Sequence, residues 1–298
     1  MTRIAIVGAG PAGYEAALVA VQLGAQVTLA DRDGVGGMCV LADCVPSKTF
    51  IATSEAMTTL SHADLVGVHT EGRVTAEVAE VHARVKALAL AQSDDIRQRL
   101  VREGVRLENG AARLLGGGRV QVGSSVLGAD VVLLATGAHP RVVPGAEPDG
   151  QRVLDWRQLY DLPALPEHLV VVGSGVTGAE FASAYLAMGC QVTLVSSRDR
   201  VLPSEDPDAA EQLQQVFVRR GMRVLRGRAA AVGRSADGVV VQLTDGSSVS
   251  ASHCLMTVGS VPNTGGMGLE EAGVELDAGG FRQVGPGSRG AAPRGFAP

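Results

Sequence analysis

The most chemically loaded stretch of the chain is Gly36-Gly37-Met38-Cys39-Val40-Leu41-Ala42-Asp43-Cys44-Val45-Pro46-Ser47-Lys48. Two cysteines five positions apart can close a small ring. No second cysteine pair and no nearby histidine accompany them, so a zinc site would lack ligands and no metal is expected. Pro46 suits an early helical position, which puts Cys44 near a helix N-terminus. That end of the helix dipole favours a thiolate, and Lys48 adds to the effect. The pattern reads as a redox-active dithiol/disulfide; the plainer alternative is two buried thiols. Cys190 and Cys254 stand alone in apolar segments and read as small buried hydrophobes.

Two glycine-rich turns carry the second kind of chemistry. Gly8-Ala9-Gly10-Pro11-Ala12-Gly13 follows the β-branched run Ile4-Ala5-Ile6-Val7. It precedes an alanine-rich helix over 14–24, then a strand over 26–30 with Asp31 at its end. Gly173-Ser174-Gly175-Val176-Thr177-Gly178 repeats the plan, between a strand at 169–172 and a helix over 179–188 followed by a strand at 191–195. In this context G-x-G-x-x-G holds a pyrophosphate. The first glycine makes the turn, the second admits the phosphate, and the third lets helix and strand pack closely. The phosphate then meets unpaired N–H groups at the helix start. Asp31 is placed to accept both ribose hydroxyls of an adenosine. The second copy has Ser196 there, followed by Ser197, Arg198, Asp199 and Arg200. Without a carboxylate to repel a 2′-phosphate, NADPH is expected to be accepted alongside NADH.

The elements between these copies must position them. Residues 74–103 read as a long amphipathic helix with Val81, Val85, Leu88 and Ala89 on one face. Short strands follow over 105–136, and the last runs into Thr136-Gly137. Pro140, Pro144, Pro148 and Gly150 mark a connection between domains, and further strands lie in 222–258. From Gly285 onward the chain lacks any apolar period, and disorder is expected. Glycine accounts for 39 of 298 residues, roughly twice its usual share, as tight turns and ligand loops require. The formal net charge of −5, with no basic block, gives no case for nucleic acid. No apolar run is long enough to insert in a membrane, and the first residues do not form a signal peptide. The expected location is cytoplasmic.

The segments GAGPAG, GGMCVLADCVPSK, LLATGAHP, GSGVTGAEF, DRVLPSED and VGSVPNT together resemble the flavoprotein disulfide reductases, class I pyridine nucleotide-disulfide oxidoreductases, from residue 3 to about residue 284. Within that group the chain is most similar to the lipoamide-dehydrogenase-like NAD(P)H quinone reductases of actinobacteria. The resemblance implies an α/β protein with two Rossmann-like domains, the second inserted in the first: an FAD-binding part at 1–145, an NAD(P)-binding domain at 146–265, and an incomplete return over 266–298. It implies that Gly8, Gly10, Pro11, Ala12, Gly13 and Asp31 bind the ADP half of FAD, and that Thr136 and Gly137 line the same site. Gly173, Gly175, Val176, Thr177, Gly178, Ser196, Ser197 and Arg198 would take NAD(P)H, and Arg32, Gly37, Met38, Ala112 and Gly259 join the cofactor-binding set. Cys44 would lie against the flavin and Cys39 would be the exchange thiol. Lys48 would sit near the reactive flavin nitrogen, paired with Glu180, since an unpaired desolvated charge is costly. Hydride would pass from nicotinamide to flavin, and electrons then to the Cys39–Cys44 disulfide or to a quinone.

The chain departs from that pattern in three ways. Quinone reductases of this kind often lack the first cysteine, whereas Cys39 is present. Met38 and Val40-Leu41 differ from the usual threonine and leucine-asparagine. The second FAD-binding stretch and the dimerisation domain through which family members form homodimers are missing. The tail after Val284 has the composition of a shifted reading frame in GC-rich DNA, so a truncated or frameshifted product is expected. The competing reading is a non-catalytic nucleotide-binding remnant. A thioredoxin-reductase-like protein is disfavoured, because no C-x-x-C lies in the second copy.

Overall fold

The computed structural model describes residues 1–69, 72, 74–290 and 295–296. The chain forms two compact α/β units. The first gathers Met1–Cys44, Leu88–His139 and Ser260–Pro298, and the second Val45–Ala87 and Pro140–Gly259. The second thus interrupts the first. Residues 45–87, which the sequence reading keeps with the first domain, belong to the second unit.

In the first unit, β1 (Arg3–Val7), β2 (Gln26–Asp31) and β3 (Arg106–Asn109) are parallel strands. The strands β4 (Ala112–Gly116), β5 (Arg119–Val122) and β6 (Ser125–Gly128) form a small antiparallel sheet. β7 (Val131–Leu134) returns beside β1, with Val7 opposite Leu134. β8 (Ala138–Pro140) pairs β17 (Ser260–Pro262). The main sheet has the order β18-β7-β1-β2-β3, where β18 is Gly295–Phe296. Its central strands β1 and β7 are largely β-branched and apolar, as strands of a parallel sheet covered on both faces are. Ala5, Val7, Ala30, Val132 and Leu134 pack with Leu114, Val120 and Val122 of the small sheet.

The end of the chain differs from the expectation of disorder. Val284 bridges Gly290, and Gly295–Phe296 add to β7 in parallel, opposite Val132 and Leu133. The physical reason is that a sheet edge offers unpaired N–H and C=O groups to any backbone. Pairing of this kind needs no side-chain period, so a reading of periodicity misses it. Residues 291–294 and 297–298 lie outside the described residues.

The second unit has the parallel order β12-β11-β10-β16-β9. These strands are β9 (Val153–Leu154), β10 (His168–Val172), β11 (Gln191–Ser196), β12 (Arg223–Arg226) and β16 (His253–Met256). β13 (Ala229–Arg234), β14 (Val239–Leu243) and β15 (Ser248–Ala251) form an antiparallel sheet. Cys190 and Cys254 are buried in this unit, and burial pushes each thiol up to about 12. They are inert packing residues.

Among the described residues, six α-helices accompany these sheets: α1 (Pro11–Gln22), α2 (Gly37–Leu41), α3 (Cys44–Ser61), α4 (Val78–Arg102), α5 (Val176–Ala187) and α6 (Pro207–Arg219). In α4, Val78, His82, Val85, Ala89, Ile96 and Leu100 are buried, whereas Leu88 is exposed. At 100° per residue Leu88 falls at the edge of that stripe, so its expected place on the buried face is corrected. Among the described residues no helix is long and apolar enough to cross a membrane.

Three histidines of the second unit make its stability pH-dependent. His82 is buried, and its Nδ1 donates to the Leu162 carbonyl at 3.0 Å. Its Nε2 is buried with no hydrogen-bond partner among the described residues. Burial lowers its pKa, and Lys86 lowers it further, against the Leu162 carbonyl and Asp161. Burial also lowers His168, aided by Arg223, and His253, aided by Arg152. Below the ordinary histidine value of about 6.5 the unfolded chain binds protons that the folded unit refuses. Stability is therefore full above that value and is lost as pH falls through the depressed folded values. The melting midpoint should drop between about pH 7.5 and about pH 5.5, and His82→Leu should flatten the drop. A midpoint constant across that range would contradict the assignment.

Candidate active site: two glycine corners and a dithiol segment

The first corner is closed by backbone against backbone. Gly8 has φ +103°, and a Cβ there would lie 2.1 Å from the Ala135 oxygen. A Cβ on Gly13 would lie 1.8 Å from the Gly8 oxygen. A Cβ on Gly10 would meet nothing within 4 Å. The first two contacts hold helix, strand and turn together, and the third position is left open to a ligand. Pro11 and Ala12 begin α1 and are exposed. Pro11 at the first helical position gives up no hydrogen bond. The Gly13 and Tyr14 N–H groups each donate to the Gly10 carbonyl at 2.9 Å, and the turn stands at the positive end of the helix dipole, an arrangement suited to a phosphate.

Asp31 does more than the sequence indicates. Its Oδ2 accepts the Ala9 N–H at 2.6 Å, and its Oδ1 accepts those of Asp33 and Gly34 at 2.7 and 2.8 Å. A carboxylate has about four acceptor sites, so three amides leave room for one further donor. The expectation that Asp31 accepts ribose hydroxyls does not count these three backbone bonds. The Gly36 N–H also donates to the Ala9 oxygen at 2.8 Å. The segment leading to Cys39 is thereby tied to the corner. Arg32 is exposed and paired with Asp33 at 2.8 Å. Thr136 and Gly137 follow β7. Their carbonyls accept from the Asn263 side chain at 2.9 Å and its backbone N–H at 3.0 Å. Ala112 is half-buried against the core of the first unit.

The second corner repeats the first. A Cβ on Gly173 would lie 2.2 Å from the Thr257 oxygen, one on Gly178 would lie 1.9 Å from the Gly173 oxygen, and one on Gly175 would meet nothing within 4 Å. Val176 and Thr177 open α5. A cavity of about 410 Å³ lies against Gly173–Gly175, and Ser197, Arg198, Arg228 and Thr257 also line it. Arg198 and Arg228 are exposed. Ser196 is not available to a ligand there: it is 1% exposed. Its hydroxyl lies 2.8 Å from that of Ser174 and donates to the Arg198 carbonyl at 2.9 Å. Its expected contact with the nucleotide is corrected, because closing the loop after β11 consumes the hydroxyl. Gly259 has φ +97°, and its carbonyl accepts the Arg141 N–H at 2.9 Å.

Gly37 and Met38 begin α2, which carries Cys39 half-buried. Cys44 is exposed as the first residue of α3, and both cysteines are thiols. Lys48, on the same helix, places Nζ 2.8 and 2.9 Å from the two oxygens of Glu180 on α5. The structure therefore brings the expected lysine–glutamate pair together, 132 positions apart in the chain. Arg228 and Thr257 were not legible. Thr257 Oγ1 donates to the Val172 carbonyl at 2.9 Å and braces the second corner. Its only signal is that it follows a β-strand as Ala135 does.

A family model described as pyridine nucleotide-disulphide oxidoreductase matches residues 2–296. The chain is 51% identical over 300 residues to an NAD(P)H dehydrogenase (quinone) of Mycobacterium tuberculosis, covering 95% of this chain and 61% of that protein. It is 34% identical over 292 residues to a dihydrolipoyl dehydrogenase of Chlorobaculum tepidum, covering 95% of this chain and 62% of the relative. The solved structure of LpdA from Mycobacterium tuberculosis superposes with a TM-score of 0.95 at 51% identity, over 100% of this chain and 67% of that one. The chain thus spans about three fifths of the length of these curated relatives.

Proposed function

Because this chain belongs to the pyridine nucleotide-disulphide oxidoreductase family, we propose that it binds FAD at the first glycine corner and NAD(P)H at the second, and passes electrons from the nicotinamide to a quinone or a dithiol/disulfide acceptor. The observation that carries the reading is the repeated corner. Each copy has an open second glycine, and the Lys48–Glu180 pair and two thiols accompany them. Bound at the first corner, FAD would supply acceptance of a hydride from reduced nicotinamide and onward transfer of two electrons. The chain supplies the rest. The two corners hold the pyrophosphates by backbone N–H groups. Glu180 keeps the Lys48 ammonium aimed, so that a positive charge meets the negative charge that reduction brings.

The acceptor follows from the thiols. Reducing a Cys39–Cys44 disulfide breaks one S–S bond and takes up two electrons and two protons, leaving two thiols. Exchange with an external disulfide returns the pair to S–S and leaves two thiols on the acceptor. A quinone takes the same two electrons and two protons to become a hydroquinone, without using the cysteines. The relatives named for a quinone and for dihydrolipoyl turnover support each route in turn. The reading places the activity in the cytoplasm.

Purified protein should be yellow with bound FAD and bleach on adding NADPH, and quinones should then be compared with lipoamide as acceptors. Colourless protein that takes up no added FAD would sink the reading in favour of a non-catalytic nucleotide-binding remnant. Arg198 and Arg228 at the second cavity favour NADPH. Replacing both with Ala should weaken NADPH by about tenfold or more, the loss expected for charge-assisted bonds to phosphate, and barely change NADH. A wild-type protein that strongly prefers NADH would contradict the assignment.

A further inference from the structure

We infer that Arg282 is an anion-binding residue of the first unit, placed to receive the phosphates of the dinucleotide held at the Gly8–Gly13 corner. The inference rests on the FAD reading above and adds a residue from the far end of the chain.

Arg282 lies on the segment after Asp277 and bridges Leu276. Its side chain is half-buried, and Nη1 donates to the Leu134 carbonyl at 2.6 Å. A guanidinium has five donors in a planar fork, and the structure uses one of them on protein. Among the described residues no carboxylate pairs with it, and burial alone holds its pKa below the usual arginine range. A half-buried cation without a counter-ion is costly, because desolvation is not offset. Such a site is satisfied by an anion from outside the chain.

The acceptor of its one bond says which anion. Leu134 is the last residue of β7 and stands in register with Val7, the residue before Gly8. The next N–H, of Ala135, donates to the Val7 oxygen at 2.7 Å, and the Ala135 carbonyl is the atom that forbids a side chain at Gly8. Arg282 therefore meets the carboxyl end of β7, the strand that adjoins β1 and its glycine corner. Ligands of open parallel sheets bind at that edge. Thr136 and Gly137 continue from the same strand. The corner offers backbone N–H groups and a helix dipole, which carry only partial positive charge. Arg282 adds a full charge and the remaining donors of its fork, the group with which arginine binds phosphate.

The test measures binding, not turnover. Arg282→Gln keeps a donor for the Leu134 carbonyl and removes the charge; Arg282→Lys keeps the charge and removes the fork. FAD, ADP and riboflavin are titrated into apo protein by fluorescence or calorimetry, with circular dichroism to check the fold. The expected result is a loss of about tenfold or more for FAD and ADP in the Gln variant, partial recovery in the Lys variant, and no change for riboflavin, which has no phosphate. Equal FAD and ADP affinities in wild type and the Gln variant would overturn the inference and leave the FAD reading standing. Equal losses for riboflavin would overturn it too, by moving the contact to the flavin ring. Wild-type protein that binds neither FAD nor ADP would overturn both. If the Gln variant fails to fold, Arg282→Lys decides: an ADP affinity equal to that of the wild type would overturn the inference, because the fork that binds phosphate is gone.

Discussion

Gly10→Ala should fold as the wild type does and lose FAD. A Cβ at this position meets no protein atom within 4 Å, and its φ of −70° suits any residue. The protein cost is that of a poorer helix cap, under about 1 kcal/mol. What the methyl group would strike is the ligand, because this is the point where the backbone must let a pyrophosphate approach. Gly13→Ala should behave differently. Its Cβ would sit 1.8 Å from the Gly8 oxygen, and only a backbone shift relieves that. The expected destabilisation is about 3 kcal/mol or more, with FAD lost as well. The second corner gives the same contrast: Gly175→Ala should keep the fold and lose NADPH, and Gly178→Ala should cost stability. Thermal melting and cofactor titration of the four variants check the scheme. A Gly10→Ala protein that binds FAD normally would mean that no phosphate lies at the corner.

Cys44→Ser should separate the two electron acceptors. If electrons leave through the disulfide, turnover with lipoamide falls by more than about a thousandfold, since the cysteines act as one unit. Quinone reduction should then stay close to wild type, because a quinone draws on the flavin directly. Cys39→Ser should match it on lipoamide, as either loss prevents the S–S bond. Steady-state rates with both acceptors check the prediction. Unchanged lipoamide turnover in both variants would remove the dithiol from the path. Loss of quinone turnover in Cys44→Ser alone would show that this thiol is needed to seat the flavin.

The glycine corners were legible because their requirement is local. A strand, a tight turn and a helix that must touch leave no room for Cβ at the first and third positions, and sequence spacing records that. Asp31 was legible as an acid at the right distance. Its bonds to Ala9, Asp33 and Gly34 were not, since nothing in the spacing counts lone pairs. Ser196 reads as a nucleotide contact from its place at the end of a strand, yet the turn that follows folds over it. The membership of residues 45–87 was hidden for another reason. An apolar stripe says that a helix is buried, not against what. Phe50 and His82 in fact join Tyr160, Phe181 and Tyr185, with Phe50 and Tyr185 rings 5.0 Å apart. The Lys48–Glu180 pair was reached through family resemblance, and no pattern in the residues alone joins positions 132 apart.

Cys44 and Lys48 are one helical turn apart on α3, so they ride on a single stiff rod. Their backbones cannot be shifted separately: tilting the rod to move one drags the other along. Engineers seeking a different acceptor would do better to reshape the walls around the rod than to move it.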